Sequence, residues 1–515
     1  MSVKNETVKK KGILNFIEKV GNALPHPATI FVILCGIIMV VSHVMAGMGV
    51  SVTYDVLDKA TGQMVPSIVT VTSLLSKEGI IGMLEGALTN FTGFAPLGTV
   101  LVAMLGVGVA EGTGLIGTAL RKLVLSTPKT LITVVVVLAG VISNIASDAG
   151  YVVLIPLGAI VFLSMGRHPM AGLAAAFAGV SGGFSANIIF GPTDALLAGI
   201  STEAAKISDA SASVGIADNW YFLVVSTILI AIVGTIVTEK IVEPRLGEYK
   251  GSSDTKTSVE LTTTEKKGLK YTGFASIVVA IILGITTIPQ NALLRNAETG
   301  SLIEKSPFMN SIVIIIAIIF LVLGVAYGIG AGSIKNDKDI IKEMSKTMST
   351  MGGYIVLVFF AAQFVKYFSQ SNVGTVIAVK GADFLKGANI EGVPLILGFI
   401  LVTAFINLFM GSASAKWAIM APIFIPMLMG MGFAPEFTQM AYRIGDSSTN
   451  IISPLMTYFA LIVSFSEKYD KESGIGTMIS TMVPYSVAFL ISWSVLLIVW
   501  MTLKLPLGPG ATIFM

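Results

Sequence analysis

The chain has 515 residues, of which 54% are hydrophobic and 12% charged, and its formal net charge is +3. Ordinary soluble domains carry about 25% charged residues, and several stretches here reach the roughly 20 apolar residues that a helix needs to cross a bilayer. The composition therefore excludes an ordinary soluble protein and predicts a polytopic protein of the lipid bilayer. The single cysteine, Cys35, excludes a disulfide or a cysteine metal site within the chain.

The N-terminal segment is basic, but its apolar run comes late and is long enough to span, so it lacks the pattern of a cleaved signal peptide. We expect a cytoplasmic lead into the first span. Length and hydropathy then predict nine transmembrane helices, near residues 26–47, 91–112, 170–197, 218–239, 271–289, 310–332, 349–368, 441–463 and 477–502.

Two further apolar regions are predicted to be re-entrant hairpins, at 131–164 and 393–430. Each arm has about 15 residues and would be about 22 Å long as a helix, which is short for about 30 Å of hydrocarbon. The arms flank small, polar tips, "SNIASDAG" and "GSASAK". The fold class is therefore an all-α polytopic membrane protein with nine spans and two hairpins.

The basic residues orient these elements. With the N-terminus in the cytoplasm and the C-terminus outside, about 22 of the 33 Lys and Arg lie in cytoplasmic segments, as the positive-inside rule requires. The polar, Ser/Thr-rich segment 240–270 is predicted to be a cytoplasmic linker that divides the chain near its midpoint. We expect residues 1–239 and 271–515 to form two repeats.

Two matched blocks support this duplication. "SANIIFGP" (185–192) resembles "STNIISP" (448–454), and "ASDAGYVVLIP" (146–156) resembles "SASAKWAIMAP" (412–422). Their order is the same in both halves, and the predicted topology places the two hairpins on opposite sides of the membrane. Inverted repeats with discontinuous helices at the midplane are typical of secondary transporters, whose binding sites lie at the breaks.

Ionisable residues near these breaks are candidates for function, because a charge at the bilayer centre costs at least roughly 2.5–3.5 kcal/mol. Arg443 and Asp446 are three residues apart and could form a structural ion pair. Alternatively, Arg443 could snorkel from the outer end of its helix or bind a substrate carboxylate, and Asp446 could couple transport to a cation or proton. Asp148 and Asp194 could serve the site or the structure. The long side chain of Lys416 is expected to reach water.

Uncharged residues at the same places also have two interpretations. Asn187 and Asn450 are either helix caps or paired ligands of substrate and coupling ion. Ser412 and Ser414 either line the site or let helices pack closely. Trp417 is either a lipid-facing aromatic residue or a stacking wall for an aromatic substrate.

Other function classes fit less well. A channel needs a continuous polar lining, whereas polar residues here concentrate at two tips and two breaks. The sequence contains neither a Walker motif for ATP-driven pumping nor an enzyme's metal or nucleophile motif, and we expect no nucleic-acid partner. Among carriers, a transporter of simple dicarboxylates is the alternative to one for aromatic carboxylates.

Long motifs carry a family resemblance: "GSASAKWAIMAPIFIPM", "RIGDSSTNIISPLMTYF", "PHPATIFVIL", "SNIASDAGYVVLIPL" and "SANIIFGPTDALLAGI". On these motifs the chain resembles, over essentially its full length, the p-aminobenzoyl-glutamate transporter (AbgT) family. The resemblance implies a homodimer in the cytoplasmic membrane, whose protomers each have nine spans and two hairpins.

The resemblance also implies a small-molecule substrate, p-aminobenzoyl-glutamate or a sulfonamide-type antimetabolite, and coupling to a proton or a sodium ion. No other cofactor is expected. The family's functional positions correspond here to Asp194, Ser414, Trp417, Pro435, Arg443, Asp446 and Pro454. Among these we expect Pro435 to be structural or gating, as we do Asp148, and the others, with Asn187, Asn450 and Ser412, to bind substrate or the coupling ion.

Overall fold

The computed structural model describes residues 25–57, 64–145, 150–249, 260–303 and 306–515. Most of these residues are helical. The main helices are Pro27–Gly47, Lys77–Thr92, Ala95–Gly112, Leu115–Leu125, Ile132–Ser143, Ile155–Ser164, Pro169–Phe177, Pro192–Ala205, Trp220–Val237, Thr263–Thr287, Ile312–Ala331, Asp337–Thr350, Gly352–Gln370, Val373–Gly387, Gly392–Asn407, Ala413–Met429, Pro435–Asn450, Phe459–Ser466 and Ile475–Thr502.

Seven helices of the described chain are long and apolar enough to cross a membrane: Pro27–Gly47, Lys77–Gly112, Trp220–Leu246, Thr263–Thr287, Ile312–Ala331, Gly352–Gln370 and Ile475–Thr502. Each overlaps one of the nine predicted spans. The second of these helices begins at Lys77, well before the predicted start at residue 91, because a bend near Gly93 joins it to an earlier apolar helix. The chain is thus a multi-pass helical membrane protein.

The other two predicted spans are broken helices. The first consists of Pro169–Gly182 and Pro192–Ala205, and we call residues 183–191 between them the first break. The second consists of Pro435–Asn450 and Phe459–Ser466, and residues 451–458 are the second break. A helix of 16 residues such as Pro435–Asn450 is about 24 Å long. The unwound backbone that follows it must therefore find partners inside the protein.

Short helices also occupy the two predicted hairpin regions. In the first, Leu115–Leu125 and Lys129–Ser143 meet at 115°, and Gly150–Ser164 follows. In the second, Gly392–Asn407 and Ala413–Met429 flank residues 408–412, which we call the second tip. Asp148 lies outside the described residues. The full count of nine spans and two re-entrant hairpins stays a prediction.

The all-α prediction is wrong in one place. Ser51–Leu57 and Met64–Thr70 form a two-stranded antiparallel sheet, with Ser51 opposite Thr70 and Leu57 opposite Met64. The sequence carries the signal, since "SVTYDVL" and "MVPSIVT" are rich in β-branched residues and flank the turn-forming "DKATGQ". Hydropathy gives no signal for this segment, because it is too short and too polar to span a membrane.

The helix Pro435–Asn450, which we call the polar helix, is the centre of the described structure. All 16 of its residues are buried, although they include Glu436, Gln439, Arg443 and Asp446. It packs against Gly392–Asn407 and Ala413–Met429 from the same half, and against Pro192–Ala205 from the other half. A helix that is polar and wholly buried must satisfy its side chains inside the protein.

The polar helix approaches Gly392–Asn407 most closely at Gly445. A Cβ atom there would lie 2.5 Å from the Ile400 carbonyl oxygen, a distance that real Cβ atoms do not adopt. The glycine therefore sets the spacing of the two helices.

We expect Gly445→Ala to lower the stability of the detergent-solubilised protein by about 1–3 kcal/mol, the usual cost of overpacking. Gly398→Ala is the matched control, because Gly398 lies in the facing helix and a Cβ there meets nothing within 4 Å. Thermal unfolding of both variants measures the difference. Equal midpoints would contradict the close approach.

Candidate functional site

Arg443 and Asp194 form a buried ion pair that joins the two halves of the chain. The Arg443 Nη2 atom lies 2.5 Å from Asp194 Oδ1, and both side chains are 3% exposed. Asp194 is the third residue of the helix Pro192–Ala205, where its Oδ2 accepts a hydrogen bond from the Gly191 backbone N–H at 2.7 Å. The carboxylate thus caps the helix that follows the first break while it neutralises the arginine.

Asp446 forms a second buried ion pair, and its partner is Lys416. The Lys416 Nζ atom lies 2.5 Å from Asp446 Oδ1, with 0% and 1% of the side chains exposed. The hypothesis that Arg443 and Asp446 pair with each other is therefore wrong for this structure. Although they are three residues apart on one helix, each finds its counter-ion on a different helix.

The expectation that Lys416 reaches water is also wrong. Its ammonium donates to the Asn407 side-chain oxygen and, at 3.1 Å, to the Met410 carbonyl at the second tip. Asn407 uses its amide N–H groups for the Asp446 carbonyl, Thr449 Oγ1 and Asn450 Oδ1, at 2.6, 2.9 and 2.9 Å. One asparagine therefore ties the second tip to the end of the polar helix.

Trp417 is fully buried, so it is not lipid-facing. Its ring stacks on that of Tyr442 with centroids 4.3 Å apart, and its indole N–H donates to Ser201 Oγ at 3.0 Å. Gln439 donates to the same oxygen at 2.9 Å and accepts from Asn219 at 2.8 Å. These contacts hold Trp417 against the polar helix.

A cavity of about 240 Å³ lies where the two breaks and the second tip meet. Both halves line it, with Tyr151, Phe184, Thr193, Gly411, Ala413, Asn450, Met456, Thr457 and Tyr458. The rings of Tyr151 and Tyr458 stack within it, with centroids 4.5 Å apart and planes 16° apart. Its size is just below the roughly 300–1,000 Å³ usual for small-molecule sites.

The unwound backbone near this cavity is held by side chains of other elements. The Ser185 backbone N–H donates to Ser447 Oγ of the polar helix at 3.0 Å, and Trp220 donates to the Ile188 carbonyl at 2.8 Å. In the second break, Ser453 Oγ donates to the Asn407 carbonyl at 3.1 Å. The breaks are therefore defined elements of the fold, as their position inside a membrane protein requires.

The remaining predicted site residues lie around the same place. Asn450 lines the cavity, and Asn187 is a buried residue of the first break whose Oδ1 accepts from the Ile188 backbone N–H at 3.1 Å. Ser412 caps the helix Ala413–Met429 and lies 3.3 Å from the hydroxyl of Ser414. Two prolines frame the second broken helix: Pro435 opens the polar helix, and Pro454 is part of the second break.

Sequence reasoning missed several members of this site. Asn407, Ser201 and Gln439 are uncharged polar residues within helices, and only their contacts reveal a role. Tyr151 and Tyr458 belong to the quoted motifs, yet neither was singled out. A signal did exist for Gln439 and Asn407, because side chains of this polarity are rare in apolar helices and tend to hydrogen-bond across helices.

The described chain therefore offers a cavity with aromatic and amide walls beside two buried ion pairs. The aromatic rings can stack on a planar ligand, and Thr193, Thr457 and Asn450 provide hydrogen bonds. This combination suits reversible binding of a small anionic, aromatic solute.

Known proteins are similar to this chain over nearly its whole length. The model of the AbgT putative transporter family matches residues 12–515. The p-aminobenzoyl-glutamate transport protein of Escherichia coli (strain K12) is 39% identical over 498 residues, which are 97% of this chain and 96% of that protein.

Two solved transporters are similar in structure. MtrF of Neisseria gonorrhoeae, described with a class of antimetabolite efflux pumps, has a TM-score of 0.91 and 49% identity, covering 97% of this chain and 100% of its own. YdaH of Alcanivorax borkumensis, described as having an unusual topology, has a TM-score of 0.88 and 45% identity, covering 94% and 100%.

We expect Arg443→Ala to destabilise the solubilised protein by about 3–5 kcal/mol, because it leaves the Asp194 carboxylate buried without a counter-charge. Arg245→Ala is the control, since Arg245 is exposed and bonds only Ser480 among the described residues. Adding Asp194→Asn to Arg443→Ala should recover part of the loss. Thermal unfolding of the two single variants and the double variant measures the coupling, and additive effects would contradict the pairing.

Proposed function

The chain belongs to the AbgT putative transporter family, and on that premise we propose that it is a secondary active transporter. Its substrate is p-aminobenzoyl-glutamate or a related aromatic carboxylate, with sulfonamide-type antimetabolites as candidates for efflux. A proton or sodium gradient across the cytoplasmic membrane drives it. The observation that carries this proposal is the cavity lined by both breaks and the second tip, with stacked tyrosines and buried ion pairs beside it.

The cavity suits the two chemical parts of p-aminobenzoyl-glutamate. The benzoyl ring would stack against the Tyr151–Tyr458 pair, because offset aromatic stacking is favourable. The glutamate carboxylates would lie toward the helix N-terminus at Thr193 and Asp194, where backbone N–H groups and Arg443 attract anions. Trp417 then acts indirectly, as the residue that holds Tyr442 and the polar helix in place.

Coupling would act through the two ion pairs. Asp194 neutralises Arg443. A substrate carboxylate can therefore form a full ion pair with the guanidinium only when Asp194 is protonated or displaced. The Lys416–Asp446 pair offers a second carboxylate, near Asn450 and the cavity. In this proposal, uptake or release of a cation at these carboxylates exchanges with substrate binding.

A transporter for simple dicarboxylates is the alternative, and one observation favours it. Trp417 is fully buried and separate from the residues that line the cavity, so the aromatic wall expected from that residue is not there. Competition experiments separate the two: unlabelled glutamate or succinate should displace p-aminobenzoyl-glutamate poorly if the tyrosine pair recognises the ring.

We further propose that the protein works as a homodimer in the cytoplasmic membrane, with its N-terminus in the cytoplasm and its C-terminus outside. The resemblance to the family supports the dimer, and the distribution of basic residues supports the orientation. The proposed architecture has nine spans and two hairpins in total, divided between two inverted repeats. This arrangement would move the substrate past the breaks.

Transport in liposomes tests the function. The purified protein should move radiolabelled p-aminobenzoyl-glutamate with saturable kinetics, and imposed proton and sodium gradients, applied separately, should identify the driving ion and the direction. Flux that does not saturate and ignores both gradients would identify a channel and refute the proposal.

We expect Tyr458→Leu to raise the KM for p-aminobenzoyl-glutamate about 2- to 10-fold, since an aromatic pair is worth about 0.5–1.5 kcal/mol. Trp417→Phe should instead leave KM unchanged and lower stability by about 1 kcal/mol, through loss of the hydrogen bond to Ser201. Initial rates in liposomes and thermal unfolding measure the two effects. A raised KM in Trp417→Phe together with an unchanged KM in Tyr458→Leu would indicate that Trp417 contacts the substrate.

A further inference from the structure

Lys416 lies where an ammonium group is least expected. It is the fourth residue of the helix Ala413–Met429, close to the positive end of that helix, and its side chain is fully buried. Burial of a charge and repulsion by the helix N-terminus both oppose the charged form. The surroundings must therefore supply compensating interactions.

Three oxygen atoms around the ammonium supply them, one through an ion pair and two through hydrogen bonds. They are the carboxylate of Asp446, the side-chain amide oxygen of Asn407 and the backbone carbonyl of Met410. Asn407 and Met410 lie at and just beyond the C-terminal end of the helix Gly392–Asn407, which carries partial negative charge. Carboxylate, amide and carbonyl oxygens at such a helix end also form the sodium sites of secondary transporters.

The position of the amide oxygen is fixed in advance. The Nδ2 group of Asn407 donates to the Asp446 carbonyl, Thr449 and Asn450, so its Oδ1 can only face the opposite way, toward the ammonium. These oxygens therefore form a preorganised cradle for one positive charge. We call Asp446 Oδ1, Asn407 Oδ1 and the Met410 carbonyl the cation cradle.

The first half contains a comparable asparagine contact, and no lysine accompanies it among the described residues. Asn144 donates to the Gly183 carbonyl, and Asn407 donates to the Asp446 carbonyl, across the same sequence separation of 39 residues. With Tyr151 aligned to Trp417, Gly150 aligns with Lys416 and Asn144 with Met410, whereas the match of Asn144 to Asn407 follows the alignment of the breaks. A Cβ on Gly150 would collide with the Ser143 hydroxyl, so a side chain there would require Ser143 to move. The Asn144 Oδ1 is buried without a hydrogen-bond partner among the described residues.

We propose that the Lys416 ammonium is a resident cation that fills the cation cradle in place of a free monovalent ion. Sodium is thus excluded from the cradle while Lys416 is charged, and the proton carried by Lys416 takes the part that a sodium ion would otherwise take. The coupling role rests on the proposed transport function and narrows it: this half of the molecule contributes to proton coupling and does not bind sodium.

The other charged groups near Lys416 are already committed. Asp446 is its ion-pair partner, and Arg443, one turn earlier on the polar helix, is paired with Asp194. The Tyr442 hydroxyl donates to the Ala413 carbonyl at 2.5 Å, at the start of the helix that carries Lys416. Removal of the ammonium alone therefore leaves a net negative cradle with its oxygens in place.

The first test needs no substrate. Lys416→Ala and Lys416→Gln are purified, and their thermal unfolding is compared in sodium chloride and in choline chloride at equal ionic strength. We expect sodium at about 200 mM to raise the midpoint of either variant by about 2 °C or more beyond any shift in the unsubstituted protein. Lys380→Ala, an exposed lysine on another helix, should respond as the unsubstituted protein does.

The double variant Lys416→Ala/Asp446→Asn should lose the added sodium response, because the carboxylate supplies the charge of the cradle. A variant that folds only in sodium also supports the proposal. A sodium response of Lys416→Ala and Lys416→Gln equal to that of the unsubstituted protein would overturn it.

Transport in liposomes tests the coupling. Accumulation of p-aminobenzoyl-glutamate driven by an imposed pH gradient should fall at least tenfold in Lys416→Gln, while exchange of labelled for unlabelled substrate, which needs no gradient, continues. Unchanged proton-driven accumulation would refute the coupling role. If the unsubstituted protein moves no p-aminobenzoyl-glutamate, the proposed function fails instead, and the sodium measurements still decide whether Lys416 fills the cradle.

Discussion

The need to neutralise charge on a buried helix determines much of this structure. The polar helix carries Arg443 and Asp446 into the protein interior, where an unpaired charge is prohibitively costly. Neither residue uses the other. Arg443 takes its counter-ion from the helix after the first break, and Asp446 takes its counter-ion from the helix after the second tip. The polar helix thereby fixes where elements from both halves must lie.

The cavity follows from the same arrangement. The two ion pairs and the hydrogen bonds of Asn407 draw the breaks and the second tip toward one point, and the backbone that cannot be helical there becomes part of the wall of the cavity. Family membership and two close structural relatives agree that this fold belongs to transporters. The chemistry of transport is thus inseparable from the contacts that stabilise the fold.

Local patterns in the sequence predict seven long apolar helices and the two breaks, because hydropathy and helix-breaking motifs act over a few residues. Local patterns do not predict the ion pairs. Arg443 and Asp194 are 249 residues apart, and the sequence around Lys416 does not indicate that its side chain is buried. Arg443 and Asp446 are three residues apart on one helix, which suggested an ion pair between them, but each pairs with a residue of another helix. The β-hairpin at 51–70 was missed for the opposite reason: its local signal is clear, but a search for membrane spans does not look for it.

The separation between Arg443 and Asp194 also bears on how the protein is made. A ribosome adds about 5–20 residues per second, so roughly 12–50 s pass between synthesis of the aspartate and synthesis of its arginine. During that interval the carboxylate must stay hydrated or protonated. The helix Pro192–Ala205 can therefore reach its final buried position only after the C-terminal half has entered the membrane, which makes assembly of the core a late step of biogenesis.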